Sequence, residues 1–216
     1  MQIPLQLGGR LFFKEGFLSK ELADQLAEEL QRDIEWDLGV GLARGKEFVT
    51  PRLIATMYDE TDLSDFAREV ITTSWNYGLS ESRKNVSVRW TRLMKYVKDH
   101  LESIFGVKIS YAQFNWYKTD QNYVGWHSDA QMSQHDYVFS MSLGASRHFS
   151  FRDKNLTSGP PEVDIKVTHG SLVYFDSDAG RNNYRHQLRK ALKRDEYHDD
   201  FGYGRINVTF RTTTSV

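Results

Sequence analysis

The chain of 216 residues has no cysteine, only four prolines and no long hydrophobic run. Without cysteine, disulfides and thiolate zinc sites are excluded, so a bound metal would need histidine and carboxylate ligands. No stretch approaches the roughly 20 apolar residues of a membrane span. The start, Met1 to Leu5, lacks the basic and apolar pattern of a secretory signal. These absences favour a soluble, intracellular protein, which we interpret as a monomer.

The charge balance is nearly neutral, with a formal net charge of -1. A nucleic-acid partner would therefore have to be bound by a local cluster of Lys and Arg, because the whole chain offers no positive field. Aromatic residues make up 13% of the chain, which argues against disorder and favours a folded protein rich in β-structure. The length fits one domain.

Helical patterns are confined to the first half of the chain. Ser19 can cap a helix that runs to about Arg32. A second apolar helical pattern begins at Val88, and Gly106 can end it. Between them, residues 37–85 show no clean period and predict short strands and loops.

The second half predicts a series of short strands with turn-forming residues between them. The segments are 108–118, 122–128, 137–144, 147–153, 163–168, 171–175 and 205–212. Helices followed by many short strands predict an α+β domain whose sheets form a sandwich or barrel. Such a barrel has an open mouth that can receive a small ligand.

His127-Ser128-Asp129 is a candidate metal-binding motif. In a strand, side chains two residues apart project from the same face, so imidazole and carboxylate can converge on one ion. A third ligand from another strand would complete the two-His-one-carboxylate set of non-haem iron(II) oxygenases. His135, His148, His169, His186 and His198 are the downstream candidates for that third ligand.

The segment from Arg205 to Arg211 alternates polar and apolar residues. Arg205, Asn207, Thr209 and Arg211 therefore share one face of a predicted strand. A half-solvated strand would show the same alternation. If that face is buried, its guanidinium groups need an anionic partner, and a dicarboxylic acid would supply one.

From Asn115 onward the chain resembles the AlkB family of iron- and 2-oxoglutarate-dependent dealkylases. Three motifs occur in the family's order: Asn115-Trp116-Tyr117, then His127-Ser128-Asp129, and, after a histidine, Arg205-x-Asn207-x-Thr209-Phe210-Arg211. Ser142-Leu143-Gly144-Ala145 and His169-Gly170-Ser171-Leu172 match between them. Joint occurrence is far more specific than any single motif, whereas the resemblance is slight before Arg52.

This resemblance implies a double-stranded β-helix (jelly-roll) core at about 107–216, within a single domain spanning 1–216. Residues 1–106 would contribute flanking helices and an N-terminal nucleotide-recognition region. The cofactors implied are Fe(II), 2-oxoglutarate and O2. The implied metal ligands are His127, Asp129 and His186, and the implied co-substrate residues are Asn115, Tyr117, Arg205, Asn207 and Arg211.

The family's spacing selects His186 as the third ligand, about twenty residues before the arginine strand. His169 is then interpreted as a structural histidine satisfied by backbone. Arg205 with Tyr117 would hold the distal carboxylate of 2-oxoglutarate. Arg211, with Asn115 and Asn207, would steady the chelating end and Asp129. The implied reaction yields succinate, carbon dioxide and, from an N-methylated base, formaldehyde.

The implied partner is alkylated DNA or RNA, and the implied substrate-binding residues are Arg52, Tyr58, Trp75, Tyr77 and Gln131. Tyr77 and His127 would enclose an extruded base, with Trp75 and Arg52 lining the pocket; simple packing of Trp75 and Tyr77 onto the core is an equal alternative. The candidates for phosphate contacts are Arg147, Arg152, Lys154, Arg181 and the basic residues of the stretch 185–194 (Arg185, Arg189, Lys190, Lys193 and Arg194), although such a charge-rich run is more often a solvated face.

The chain departs from the repair enzymes of this family after His-x-Asp. Where those enzymes usually carry an acidic residue, this chain has Ala130 and Gln131. Gln131 can bond an exocyclic amine but cannot offset positive charge, which puts a preference for cationic lesions in doubt.

Three other functions compete with nucleobase dealkylation. One is an oxygenase acting on a small metabolite or a protein side chain, the second is a zinc hydrolase, and the third is a jelly-roll binding module. The paired arginines on one inward face disfavour the hydrolase.

Overall fold

The computed structural model describes residues 1–43, 46–59, 61, 86–87, 89–129, 132, 136–191 and 199–212. Within these residues it contains two β-sheets, two α-helices and a short π-helical turn at Asp178–Asn182. The strands in chain order are β1 (Gln2–Ile3), β2 (Leu11–Lys14), β3 (Asp37–Ala43), β4 (Lys46–Tyr58), β5 (Val86–Ser87), β6 (Ile109–Tyr117), β7 (Val124–His127), β8 (Tyr137–Gly144), β9 (Arg147–Asp153), β10 (Val163–Val167), β11 (Ser171–Asp176), β12 (Tyr184–Leu188) and β13 (Arg205–Thr212). The helices are α1 (Lys20–Asp33) and α2 (Arg92–Phe105).

The larger sheet has nine strands in the order β1-β2-β11-β8-β13-β6-β4-β3, with β5 paired to β4 in parallel. The smaller sheet has the order β10-β9-β12-β7. All pairs except β4–β5 are antiparallel. The predicted α+β class with a two-sheet core is confirmed.

Both helices are defined by local signals. The hydroxyl of Ser19 accepts a hydrogen bond from the backbone N–H of Leu22, as expected of an N-cap. Thr91 caps α2 in the same way, so the helix begins at Arg92 rather than at the predicted Val88. Gly106 ends it in the left-handed conformation, with φ of 63°, where glycine lacks the steric penalty of a Cβ.

Two hydrophobic clusters fix the layers. The first packs both helices against the larger sheet and includes Leu26, Leu30, Met94 and Phe210. The second lies around the smaller sheet and includes Phe149, Phe151, Phe175, Tyr184 and Leu188. Burying each large apolar side chain contributes about 1.5–3 kcal/mol.

Two sequence predictions were wrong. Residues 37–43 and 46–58 form two paired strands, β3 and β4, rather than short strands and loops. Most of the remaining stretch, 59–85, lies outside the described residues. Strand β12 was not predicted, because Arg185 and Gln187 interrupt its apolar character. It is nevertheless a central strand, held between β9 and β7. In the described part of the chain, no helix is long and apolar enough to cross a bilayer.

Candidate metal and co-substrate site

The pairing of β7 with β12 brings two histidines face to face. His127 and His186 are register partners, and their ring centroids lie 4.3 Å apart. Asp129 follows β7 by two residues. One ligand atom from each of His127, Asp129 and His186 lies within 4.8 Å of the others. The side chains implied by the resemblance as metal ligands therefore converge at one point.

Asp129 is held by both its backbone and its side chain. Its N–H donates to the carbonyl oxygen of Gly180 at 2.9 Å, in a short π-helical turn just before β12. Its Oδ1 accepts a hydrogen bond from Nη2 of Arg211 at 3.1 Å, and its Oδ2 lies 3.7 Å from Nε2 of His186. The aspartate is thus fixed on the side of the site that faces β13.

The protonation states suit a cation. Burial raises the pKa of Asp129, but the positive charge of Arg211, and that of the two histidines once they are protonated at low pH, outweigh it and hold this pKa at about 2. Burial, followed by the neighbouring His127, lowers the pKa of His186 to about 3. Burial likewise lowers the pKa of His127. At neutral pH the site therefore offers one carboxylate and two neutral imidazoles, the forms that bind metals.

The hydrogen bonding of the histidines also fits a metal. Nδ1 of His127 lies 2.8 Å from the carbonyl oxygen of Gly125, which orients the ring and leaves Nε2 for a ligand bond. Nδ1 of His186 is buried with no hydrogen-bond partner among the described residues. Ligand bonds of roughly 2.1 Å place donor atoms about 3–4 Å apart around one ion. The residues present therefore fit a divalent metal such as Fe(II).

A buried polar strip on β13 lies beside this cluster. Arg205, Asn207, Thr209 and Arg211 share one face of the strand, and each is buried. The contact of Arg211 with Asp129 shows that this face looks toward the candidate metal ligands. The strip is therefore inside the protein, and the alternative of a half-solvated strand is excluded.

Arg205 occupies one end of this strip. Its Nη2 donates to Oγ of Ser142 at 2.8 Å, and its guanidinium carbon lies 5.4 Å from the ring centroid of Tyr117. Burial, with the charge of Arg147, lowers the pKa of Arg205 to about 10, so it stays charged at neutral pH. Its Nε has no partner among the described residues. A carboxylate would satisfy this donor and the charge together.

The other end of the strip has spare donors as well. Nε and Nη1 of Arg211 are buried without a hydrogen-bond partner in the described part of the chain. Asn207 donates from Nδ2 to Oγ of Ser140 and to the carbonyl oxygen of Met141, at 2.9 and 2.8 Å. Two arginines with unmet donors, separated by polar side chains, match an elongated diacid.

The predicted substrate residues fall partly on the described chain. Arg52 and Tyr58 share one face of β4, and Nε of Arg52 donates to Oδ1 of Asn115 at 2.6 Å. Arg52 thus lies beside Asn115 of the neighbouring strand β6, whose register partner on β13 is Asn207 of the polar strip. Trp75, Tyr77 and Gln131 lie outside the described residues.

Sequence reasoning missed Ser140 and Ser142. The Ser140 hydroxyl accepts a hydrogen bond from Asn207, and the Ser142 hydroxyl accepts one from Arg205. Their spacing by two in the predicted strand 137–144 placed them on one face, but only the register shows that this face meets β13. The structural interpretation of His169 agrees with the geometry. Its Nδ1 accepts a hydrogen bond from the N–H of Gly144 at 2.8 Å.

The expectation that Arg147 contacts a phosphate was wrong. The Arg147 side chain has no exposed surface, and it donates to backbone carbonyl oxygens. A phosphate of an external nucleic acid cannot reach it.

A two-sheet core with a His-Asp-His cluster and a buried arginine strip defines a class: non-haem iron oxygenases built on a jelly-roll fold. The family profile of the "2OG-Fe(II) oxygenase superfamily" matches residues 10–211. The chain belongs to this superfamily, whose cofactors are Fe(II), 2-oxoglutarate and O2.

The resemblance to AlkB proteins is confirmed by curated relatives. The chain is 28% identical over 209 residues to "Alpha-ketoglutarate-dependent dioxygenase alkB homolog 3" of Bos taurus, covering 91% of this chain and 64% of that protein. It is 30% identical over 206 residues to "DNA oxidative demethylase ALKBH2" of Bos taurus, covering 89% of this chain and 65% of that protein. The chain thus spans slightly less than two thirds of these relatives' length.

A solved structure, "The structure of OsALKBH1", superposes with a TM-score of 0.63 at 15% identity, covering 99% of this chain and 100% of that one. At this identity the likeness supports the fold alone. It agrees with the jelly-roll core inferred from the two sheets.

Proposed function

We propose that this chain is an Fe(II)- and 2-oxoglutarate-dependent oxygenase that removes alkyl groups from bases of DNA or RNA. The observation that carries the proposal is the convergence of His127, Asp129 and His186 beside the buried arginine strip. The names of its relatives, a dioxygenase and a DNA oxidative demethylase, support the reaction and the substrate class.

In this proposal His127, Asp129 and His186 hold Fe(II). When bound, the ion and 2-oxoglutarate supply the oxidation of a C–H bond by dioxygen, with succinate and carbon dioxide as by-products. Two imidazoles and one carboxylate leave open positions on an octahedral ion for other ligands. Arg211 keeps Asp129 ionised and fixes one of its oxygens, so the carboxylate is preorganised for the metal.

The arginine strip would bind the co-substrate. Arg205 would bind the distal carboxylate, with Tyr117 beside it, because its guanidinium is buried and its Nε–H has no acceptor among the described residues. Arg211, with Asn207 and Asn115 nearby, would meet the end of the diacid that approaches the metal. Burial strengthens these interactions, since water does not compete for the donors.

The base would enter from the side of β4. Arg52 is tethered to Asn115 next to the strip, and Tyr58 lies on the same face of β4, so both could border a pocket for an extruded base. Trp75, Tyr77 and Gln131 complete the predicted substrate set. A recognition region at about 1–106, a catalytic core at about 107–216, a monomeric state and an intracellular location are part of the same proposal.

The test is incubation of the iron-loaded protein with a panel of alkylated DNA and RNA oligonucleotides. Succinate, released aldehyde and the mass of the oligonucleotide are measured together. We expect 2-oxoglutarate-dependent loss of the alkyl mass from at least one oligonucleotide, and no turnover by His186→Ala. Full activity of His186→Ala would refute the ligand assignment.

The co-substrate assignment has its own variant. Arg205→Met should raise the KM for 2-oxoglutarate by at least about tenfold, because a charge-assisted hydrogen bond is worth about 1.5–3 kcal/mol. An unaltered KM would contradict the assignment. Succinate formation that no oligonucleotide stimulates would instead favour a small metabolite or a protein side chain as substrate.

A further inference from the structure

Arg147, the first residue of β9, is charged and yet completely buried. Among the described residues it is the largest of the fully buried side chains. Burying a guanidinium costs several kcal/mol unless its donors are satisfied. The groups that satisfy it therefore indicate what the residue does.

Three backbone carbonyl oxygens from two separate segments receive its hydrogen bonds. Nη1 lies 3.3 Å from the oxygen of Thr119, and Nη2 lies 2.8 Å from that of Asn122. Nη2 also donates to the oxygen of Arg189. Thr119 and Asn122 form the turn just before β7, and Arg189 follows β12 directly. One side chain therefore ties together the ends of the two strands that carry His127 and His186.

The pairing of the two strands is itself irregular at that end. They are in register at His127 and His186, but the register shifts before Leu188, which faces Val124. Beyond the shift, the N–H of Ala191 donates to the oxygen of Asp120 at 3.0 Å. The guanidinium of Arg147 adds its hydrogen bonds where the regular ladder has ended.

Arg147 also lies behind the candidate co-substrate site. Its guanidinium carbon is 5.8 Å from the ring centroid of Tyr117, and that of Arg205 is 5.4 Å from the same centroid. The charge of Arg147 contributes, after burial, to the lowered pKa of Arg205. The two cations repel each other, and a carboxylate bound at Arg205 would be attracted by both.

We propose that Arg147 is a positioning residue: its hydrogen bonds hold the two metal-ligand strands in place, and its charge reinforces the site for the distal carboxylate of 2-oxoglutarate. This inference rests on the proposed function of the site. It assigns Arg147 a role that involves no contact with the metal or with the nucleic acid.

The test compares Arg147→Gln with Arg147→Lys, and Arg10→Gln is the control because Arg10 forms an exposed ion pair with Asp176. Mn(II) affinity is measured on the apoprotein by electron paramagnetic resonance, and 2-oxoglutarate affinity on the Mn(II)-loaded protein by calorimetry. We expect Arg147→Gln to weaken both by about tenfold, the loss expected for hydrogen bonds to a charged group. The control should leave both unchanged.

Arg147→Lys separates the two roles. Lysine restores the positive charge but has a single nitrogen and no fork of donors, so it cannot join both segments. We expect 2-oxoglutarate affinity to return to within about threefold of wild type while Mn(II) affinity stays weak. In turnover, Arg147→Gln should raise the KM for 2-oxoglutarate and leave the KM for the oligonucleotide unchanged, which a general loss of stability would not do.

Wild-type affinities for both Mn(II) and 2-oxoglutarate in Arg147→Gln would overturn the proposal. If that variant does not fold, Asn122→Ala replaces it, because the Asn122 side chain holds the turn by accepting the N–H of Thr119 at 2.9 Å. Unchanged Mn(II) affinity in Asn122→Ala would then overturn the strand-positioning role. A wild-type protein that binds no 2-oxoglutarate would refute the proposed function and the charge role, whereas the Mn(II) comparison would still decide the strand-positioning role.

Discussion

Arg211 and Asp129 form a buried ion pair whose disruption gives the sharpest prediction. Both side chains are almost inaccessible to solvent, with 7% and 4% of their surface exposed, and Nη2 lies 3.1 Å from Oδ1. Replacing the arginine by methionine keeps much of its volume and removes its charge. Removing one partner of a buried pair costs about 3–5 kcal/mol, because the other charge stays buried without compensation.

The loss should depend on pH in a defined direction. In the wild type the pKa of Asp129 is about 2, below its ordinary value of 3.8, so its contribution to stability is present above pH 3.8 and lost as the pH falls through 2. In Arg211→Met burial is no longer opposed by Arg211, and the pKa of Asp129 rises. The variant then loses stability as the pH rises through that higher pKa. The deficit relative to wild type should be largest at neutral pH and shrink toward about pH 4.

Urea unfolding of the metal-free protein at several pH values measures this deficit. A double variant, Arg211→Met with Asp129→Asn, removes both charges and should recover much of the stability lost by Arg211→Met. A deficit below about 1 kcal/mol at neutral pH, which is the range of exposed ion pairs, would refute the reasoning. Equal deficits in the single and double variants would do the same.

Two further predictions concern the metal-free protein. Because burial lowers the pKa of His186 from 6.5 to about 3, stability should fall as the pH drops through this window, by up to about 1.4 kcal/mol per pH unit. Urea unfolding at several pH values should show a shallower dependence of stability on pH for His186→Gln than for the wild type. Equal slopes in the two proteins would contradict this. Gly144→Ala should destabilise strongly, because φ is +83° and the new Cβ would lie 2.3 Å from the carbonyl oxygen of Gly204. Gly8→Ala has a similar φ of +78° but open space, so it should cost only about 1–2 kcal/mol; similar melting temperatures for the two glycine variants would rule out the steric account.

Local patterns predicted the elements whose signals are short-range. Ser19 marked the start of α1 and Gly106 the end of α2, because caps depend on residues only a few positions away. Strands β8, β9 and β13 lie where their apolar alternation placed them. β12 was missed because a short strand held on both sides by others needs little propensity of its own.

By itself the sequence determined which side chains can share a face: His127 with the following aspartate, and the two arginines of β13. It also excluded thiolate ligands. Only the tertiary structure decided which face turns inward and which distant segments meet. It set His186 opposite His127, brought Ser142 within hydrogen-bond distance of Arg205, and buried Arg147 between the turn before β7 and the residue that follows β12. These contacts join residues far apart in the chain, so they depend on sheet register and packing rather than on any local period.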